Sequence, residues 1–206
     1  DEEIPELDES TLKSTLTSAL NELKNLLDNY ESGMIMTQGV NTVIAGRPNA
    51  GKSTLMNMLS GKEKSIVTHI EGTTRDIVEN SVRLGTLVLH LSDTAGLRES
   101  DDVVEAIGIK KALERIDTSS LVLAVFDSSR ELDGDDKMLI DACKGKKAVA
   151  VINKTDLSPA IDTEEIENNF ESSVYISAKN NTGLKELENA VKNILGVEEF
   201  DSSAPL

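Results

Sequence analysis

Leucines recur every three or four positions along the first part of the chain, a spacing that puts them on one face of a helix. This pattern predicts a single amphipathic helix over residues 10–31, with Ser10 as its cap and Gly33 at its end. One helix cannot bury its own apolar face. We therefore expect residues 1–36 to be a fragment of a separate helical domain together with its linker.

Short apolar runs alternate with helical segments over residues 37–197, which is typical of a mostly parallel sheet with crossover helices. Two of the runs are separated only by Gly85 and predict an antiparallel hairpin at the sheet edge. The predicted strands are residues 41–45, 77–84, 86–91, 121–126, 148–152 and 173–176. The predicted helices are residues 52–60, 103–116, 134–144, 163–169 and 182–195. The fold class is therefore α/β, a doubly wound, mixed, mostly parallel six-stranded sheet, with residues 198–206 as a linker or tail.

The chain is strongly acidic, with 37 acidic against 21 basic residues and a formal net charge of -16. Such a surface repels phosphate backbones, so we expect any nucleic-acid contact to come from other domains or a partner. The single cysteine, Cys143, excludes an internal disulfide and a Cys-rich zinc site, and it fits a reducing, cytoplasmic compartment. No apolar run reaches the roughly 20 residues of a membrane span.

The segment directly after the first predicted strand matches the phosphate-binding pattern G-x-x-x-x-G-K-S/T. Glycines let the backbone N–H groups of such a loop surround the β-phosphate, and the following helix turns its positive end toward it. Lys52 would add charge between the β- and γ-phosphates, and the Ser53 hydroxyl would bind Mg²⁺. The pattern predicts a nucleotide site at Asn49, Ala50, Gly51, Lys52, Ser53 and Thr54.

A second motif, Asp93-Thr94-Ala95-Gly96, follows the third predicted strand. An aspartate at a strand end can hold Mg²⁺ through water, and the glycine N–H can reach the γ-phosphate. An ordinary Asp-Gly turn explains this short pattern equally well. Its position, however, is where a P-loop domain needs it.

A third motif, Asn153-Lys154-Thr155-Asp156, follows the fifth predicted strand and suits guanine. The Asp156 carboxylate can accept hydrogen bonds from guanine N1–H and the 2-amino group, donors that adenine lacks there. The aliphatic stem of Lys154 can lie against the base plane. Ser177-Ala178-Lys179, after the last strand, offers the Ala178 N–H to guanine O6. The motifs together predict GTP and GDP as ligands.

The loop between the first helix of this domain and the second strand is the expected nucleotide-sensing loop. One threonine there should complete the Mg²⁺ shell, and the sequence alone does not separate Thr73 from Thr74. We expect His69 to be a solvated loop residue and His90 a strand residue, neither of them catalytic. The predicted contact residues of this loop are Thr68, His69, Ile70, Glu71, Gly72, Thr73 and Thr74.

The residue after the second motif is Leu97, where many GTPases have a water-orienting glutamine. Leucine cannot polarise water, so another group must orient it. The nearest carboxylates are those of Glu99, Asp101, Asp102 and Glu105. The local arginines that could add transition-state charge are Arg47, Arg75 and Arg98, and none is compelling.

Four segments together resemble the G domain of the MnmE (TrmE) family of tRNA-modification GTPases. They are residues 44–53, 71–76, 93–99 and 104–109. The resemblance covers about residues 38–197, and the preceding helix is similar to the end of the first half of that family's central helical domain. The family belongs to the TrmE-Era-Der class of P-loop GTPases.

The resemblance implies a GTPase that uses potassium in place of an arginine finger and dimerises through its G domains when GTP is bound. It also implies a role in tRNA wobble-uridine modification with the FAD-dependent partner MnmG (GidA). Glu105 would orient the water and, with Lys52 and Thr74, act in catalysis. Mg²⁺ would be held by Ser53, Thr74 and, through water, Asp93. Potassium would be held by Asn49, Thr68, Ile70 and Thr73.

The family's folate-binding domain, the second half of its helical domain and its C-terminal Cys motif are not in this sequence. We therefore expect the chain to be the GTPase part, residues 37–197, of a larger protein, and Cys143 does not replace the family's cysteine. Two alternatives stay open. One is a ribosome-assembly GTPase of the Era or Der type, and the other, suggested by Leu97, is a GTP-binding switch with little hydrolysis.

Overall fold

The computed structural model describes residues 9–61, 81–91 and 115–197, and its main feature is one six-stranded sheet. The strands are β1 (Val40–Ala45), β2 (Ser81–Leu84), β3 (Leu87–Leu91), β4 (Leu121–Asp127), β5 (Ala148–Asn153) and β6 (Ser172–Tyr175). The helices are α1 (Glu9–Gln38), α2 (Lys52–Ser60), α3 (Gly134–Cys143), α4 (Thr163–Glu167) and α5 (Leu184–Leu195), with a further helical turn at residues 115–118.

The strand order is β2-β3-β1-β4-β5-β6, and every neighbouring pair is parallel except the β2–β3 hairpin. This confirms the predicted mixed, mostly parallel α/β fold with an antiparallel edge. The hairpin turn contains Gly85 and Thr86 rather than Gly85 alone. Residues 77–80 of the predicted second strand and 103–114 of a predicted helix lie outside the described residues.

Two apolar cores lie on opposite faces of the sheet, as alternate residues of β4 show. Leu121, Leu123 and Val125 belong to the core that also contains Leu55 of α2 and Leu187 of α5. Their neighbours along β4 belong to the second core, which contains residues of α3 and α4; they are Val122, Ala124 and Phe126. Because β4 is buried on both faces, it reads as a continuous apolar run.

The N-terminal helix α1 is longer than the sequence predicted. It passes through Gly33 and ends at Gln38, so the expectation that Gly33 ends the helix is wrong. Gly39 ends it instead, with a φ of 76° and an N–H that donates to the Ile35 carbonyl at 3.0 Å. Glycine adopts this left-handed backbone conformation without steric cost, which suits the position after a helix.

The last turns of α1 contact the sheet at β3. Ile35 and Met36 pack against the first core, whereas Leu12, Leu16 and Leu20 are exposed. The assignment of residues 1–36 to a separate helical domain stays a prediction.

Cys143, the last residue of α3, lies buried in the second core. Burial raises the pKa of its thiol to about 12.

Among the helices in the described ranges, none is both long enough and apolar enough to cross a bilayer.

Candidate guanine-nucleotide site

The predicted nucleotide-binding segments that the structure describes meet at the edge of the sheet formed by the carboxyl ends of the parallel strands. The phosphate loop, residues 46–51, follows β1, and the guanine-reading segments follow β5 and β6. β1 lies between β3 and β4, so the strand order reverses at the phosphate loop. Open α/β sheets bind ligands at such a reversal, beyond the carboxyl ends of the strands.

The phosphate loop leads directly into α2 through Gly51. This glycine is the N-cap, has a φ of 98°, and provides no side-chain hydrogen bond to the first turn. A Cβ at this position would collide with the Asn153 side-chain nitrogen. The uncapped N–H groups at the start of α2 and its positive dipole end are suited to a phosphate.

Lys52, the first residue of α2, points back into the phosphate loop. Its Nζ donates a hydrogen bond to the Arg47 carbonyl at 2.6 Å. Burial lowers the pKa of Lys52 to about 8. The side chain is therefore a poorly solvated cation held over the loop, which an anionic phosphate would stabilise.

Asn153, the last residue of β5, joins the phosphate loop to the loop after β6. Its Nδ2 donates to the Ala50 carbonyl at 2.9 Å, and its Oδ1 accepts from the Ala178 N–H at 3.0 Å. The Asn153 side chain is buried, with 2% of its surface exposed. The two halves of the predicted site are therefore connected through one amide group. The Ala178 N–H, predicted to meet guanine O6, is occupied by this bond.

Asp156, the predicted guanine reader, is exposed but held in one orientation. Its Oδ1 accepts a hydrogen bond from the Ser177 hydroxyl at 2.6 Å. This bond, together with the positive charges of Lys179 and Lys154, lowers the pKa of the Asp156 carboxyl below its usual value. The group is ionised at neutral pH, as acceptance of two guanine donors requires.

The loop after β6 is braced around Ser177. Ser177 and Thr182 form an isolated antiparallel bridge, with N–H···O distances of 3.2 and 3.1 Å. The Asn180 N–H donates to the Ser177 hydroxyl at 3.2 Å. Ser177, Ala178 and Lys179 therefore lie in a closed turn, in which Ser177 and Ala178 are buried.

Lys154 has a charged neighbour that the sequence motifs did not indicate. Its Nζ lies 2.6 Å from Oδ2 of Asp127, the last residue of β4. Burial by itself would raise the pKa of Asp127, but hydrogen bonds from Lys154 and from Ser129 lower it below its usual value. The backbone of Lys154 is left-handed, with a φ of 67°. A carboxylate ending an otherwise apolar strand is the signal that could have identified Asp127.

Arg47 of the phosphate loop extends toward α3. Its guanidinium forms ion pairs with Asp133 and, at 3.6 Å, with Asp136. Asp133 caps α3 by accepting hydrogen bonds from the Asp135 and Asp136 N–H groups at 3.0 and 3.2 Å. Neither aspartate was singled out from the sequence, because their proximity to the loop arises only in the folded chain.

His90 lies in β3, as the sequence predicted. Its Nε2 is 2.7 Å from the Gln38 carbonyl and its Nδ1 is 2.8 Å from the Ser81 hydroxyl. The imidazole therefore ties the end of α1 to the edge hairpin.

The remaining predicted site residues lie outside the described part of the chain. They are Thr68, His69, Ile70, Glu71, Gly72, Thr73, Thr74, Asp93, Thr94, Ala95, Gly96 and Glu105. The same applies to Leu97, Arg75, Arg98, Glu99, Asp101 and Asp102. Their predicted roles stay predictions.

Solved structures share this fold. One is translation elongation factor SelB from Methanococcus maripaludis in complex with the GTP analogue GppNHp, with a TM-score of 0.53 and 21% identity over 78% of this chain and 34% of that one. Another is the G domain of the T. maritima FeoB iron transporter, with a TM-score of 0.51 and 24% identity over 75% of this chain and 98% of that one. At these identities the likeness concerns the fold.

Curated relatives match the chain at higher sequence identity and over more of its length. The tRNA modification GTPase MnmE of Finegoldia magna is 40% identical over 90% of this chain and 41% of its own length. The protein of the same name from Natranaerobius thermophilus is 41% identical over 95% of this chain and 43% of its own length. The chain thus spans about two fifths of these relatives, and the predicted resemblance to MnmE is confirmed.

A family model described as "50S ribosome-binding GTPase" matches residues 41–154. The match includes the phosphate loop and the beginning of the guanine-reading motif. The chain therefore belongs to this GTPase family, and MnmE proteins are among its relatives.

Proposed function

We propose that this chain binds GTP together with Mg²⁺ and hydrolyses it to GDP and phosphate. The observation that carries the proposal is the Asn153 side chain, which bonds both to the phosphate loop and to the loop after β6. That connection supports one continuous site, with phosphates at the start of α2 and guanine beside Asp156.

On the phosphate side, Lys52 and the first N–H groups of α2 would stabilise the charge that develops on the transferred phosphoryl group. Ser53 stands exposed in the first turn of α2, next to the uncapped end, and its hydroxyl suits a magnesium ligand. Thr74 and, through water, Asp93 would complete the set. When bound, Mg²⁺ supplies additional positive charge at the β- and γ-phosphates.

We assign the orientation of the attacking water to Glu105, because Leu97 cannot do this. The carboxylate would hold the water in line with the γ-phosphate, a role of positioned acid–base groups. The switch alternative, in which GTP is bound with little hydrolysis, would leave Glu105 without this role.

We also propose that potassium stimulates hydrolysis and accompanies G-domain dimerisation. Asn49 is exposed in the phosphate loop, and its side-chain oxygen is a suitable ligand for a large monovalent cation. Thr68, Ile70 and Thr73 would close the shell. The ion pairs of Arg47 with α3 support this proposal, since they leave the loop arginine already engaged.

Base specificity provides the decisive experiment. Asp156→Asn replaces an acceptor with an amide that donates toward guanine's own donor, so GTP affinity should fall on the order of 10²-fold or more. Xanthosine triphosphate should gain affinity for the variant, because its 2-oxo group accepts the new donor. Titration with fluorescent nucleotides measures both.

Asp162→Asn is the matched control, because Asp162 is an exposed carboxylate that caps α4 and accepts the Glu164 N–H at 3.0 Å. It should bind GTP like the parent protein. If Asp156→Asn binds GTP as tightly as the parent, the base site has been assigned to the wrong residue.

For the whole protein, we propose a place in tRNA wobble-uridine modification with an MnmG-type partner. Residues 37–197 would be its G domain, residues 1–36 part of a helical domain and residues 198–206 a linker. The relatives named MnmE support this. Loss of the gene should remove the wobble modification from cellular tRNA.

The description of the matching family favours one second candidate, a GTPase that binds the 50S ribosome. Co-sedimentation of the full-length protein with 50S subunits in the presence of GTP distinguishes ribosome binding from a role in tRNA modification. The net charge of -16 argues that this chain does not itself supply an RNA-binding surface.

A further inference from the structure

Arg47 belongs to the phosphate loop through its backbone and to α3 through its side chain. Its carbonyl accepts hydrogen bonds from Lys52 Nζ at 2.6 Å and from the Ala50 N–H at 3.4 Å. Its guanidinium contacts both Asp133 and Asp136 at the start of α3. One residue therefore joins the position of Lys52 to the position of a helix.

The contact of Arg47 with Asp136 is largely buried, whereas the Asp133 side chain is 40% exposed. The exposed fractions of the Arg47 and Asp136 side chains are 13% and 4%. Asp136 Oδ2 accepts from the Asp133 N–H at 3.2 Å, which completes the capping box of α3. Asp136 Oδ1 is buried and has no hydrogen-bond partner among the described residues. The charge of Arg47 is thus the nearby compensation for a buried carboxylate.

Moving the guanidinium into the nucleotide site would separate it from both aspartates. A buried carboxylate that loses its cation is strongly destabilised. The same movement would shift the peptide whose carbonyl holds Lys52. Arg47 is therefore poorly suited to act as a mobile transition-state arginine and well suited to fix the loop.

We propose that Asp133 and Asp136 act through Arg47 as positioning residues for the phosphate loop, and that Arg47 does not contact the transferred phosphoryl group. The inference rests on the proposed GTPase function. It assigns to the start of α3 a role in phosphate affinity that none of the nucleotide motifs includes.

The test compares Arg47→Lys, Arg47→Ala, the double variant Asp133→Asn with Asp136→Asn, and the combination of this double variant with Arg47→Lys. Asn retains capping oxygens at both positions but removes the charges. Asp141→Asn, whose exposed side chain lies in the last turn of α3 and pairs with Lys144 at 2.7 Å, is the matched control. The readouts are the Kd for GTP, the hydrolysis rate of bound GTP at saturation, and the melting temperature.

We expect Arg47→Lys and the double aspartate variant each to raise the Kd roughly tenfold, the scale of coupling between contacting residues. Their combination should raise it no further, because both changes break the same contact. Hydrolysis at saturating GTP should fall less than the affinity does. Asp141→Asn should match the parent protein.

Two results would overturn the inference while the parent still binds and hydrolyses GTP. In the first, Arg47→Ala keeps the parent Kd but lowers hydrolysis by about 10³-fold or more, which would make Arg47 a transition-state arginine. In the second, all variants lower only the melting temperature and leave Kd and rate unchanged. A parent protein that does not bind GTP would instead refute the proposed function itself.

Discussion

The protonation of Lys52 controls how strongly the phosphate loop attracts an anion. Its ammonium group is desolvated in the folded chain, which lowers its pKa to about 8. Phosphate binds the charged form, so the contribution of Lys52 to affinity should be constant at pH values well below 8. Above pH 8 the unliganded protein loses the proton, and affinity should fall by up to about tenfold per pH unit.

This expectation is measured as the Kd of GDP between pH 6.5 and 9.5. Lys52→Arg is the control, because arginine keeps its charge through this range. Its curve should lack the decline that begins near pH 8. A parent curve that stays flat to pH 9.5 would contradict a depressed pKa at Lys52.

The sequence motifs identified the single residues whose chemistry is tied to a fixed spacing, such as Lys52, Asn153 and Asp156. They did not identify Asp127 or Asp133, which reach the site from the ends of other elements. Such residues carry no local pattern, because only the parallel arrangement of β1, β4 and β5 brings them together. The threonine that completes the Mg²⁺ shell stays a prediction.

Among the secondary-structure elements, the strands were the easiest to predict and the end of α1 the hardest. Buried strands β4 and β5 are unbroken apolar runs, so their bounds came within one residue. α1 was predicted to stop seven residues too early, since Gln38 rather than Glu31 is its last residue. A glycine whose backbone stays right-handed, such as Gly33, weakens a helix without ending it, and contacts of Ile35 and Met36 with the core carry α1 past this position.

Alanine substitutions at Gly39 and Gly33 are expected to change the free energy of unfolding in opposite directions. A Cβ at Gly39 would lie 2.6 Å from His90 Nε2 and 2.8 Å from the Val88 carbonyl, and its φ of 76° disfavours alanine. Gly39→Ala should lower the free energy of unfolding by about 2 kcal/mol. Gly33→Ala meets no neighbour within 4 Å and should raise it by about 0.5–1 kcal/mol.

Chemical denaturation, with the helix signal followed by circular dichroism, measures both changes. The paired design separates an effect of position from a general effect of added methyl groups. Equal changes at the two glycines would mean that the end of α1 does not dock on β3 as described.

The molecule as a whole is acidic, and its GTP-bound form would add further negative charge at the phosphate loop. Two such surfaces repel each other unless a cation intervenes. We therefore expect potassium to be needed both for hydrolysis and for dimerisation in the presence of GDP and aluminium fluoride. Rubidium should replace potassium, and sodium should do so poorly.

Asn49→Gly tests the proposed ligand, because glycine accepts the left-handed backbone, φ 61°, while removing the side-chain oxygen. It should abolish the potassium stimulation and spare GTP binding. Asn181→Gly, at the other left-handed asparagine in the described part of the chain, with φ 55°, is the control and should behave like the parent. Equal hydrolysis rates in sodium and potassium, together with no dimer in GDP and aluminium fluoride, would exclude the potassium mechanism. Arg75 would then again be a candidate for supplying transition-state charge.

The Asn153 amide gives the site a thermodynamic property that neither loop has alone. It is bound at one end to the Ala50 carbonyl and at the other to the Ala178 N–H. A ligand fragment that fixes either loop also fixes the Asn153 amide, and the amide then restricts the movement of the other loop. By linkage, guanosine and a free polyphosphate would each increase the affinity for the other by the same factor. GTP, in which guanosine and polyphosphate are one molecule, would then gain affinity from this cooperativity as well as from the covalent link between its two parts.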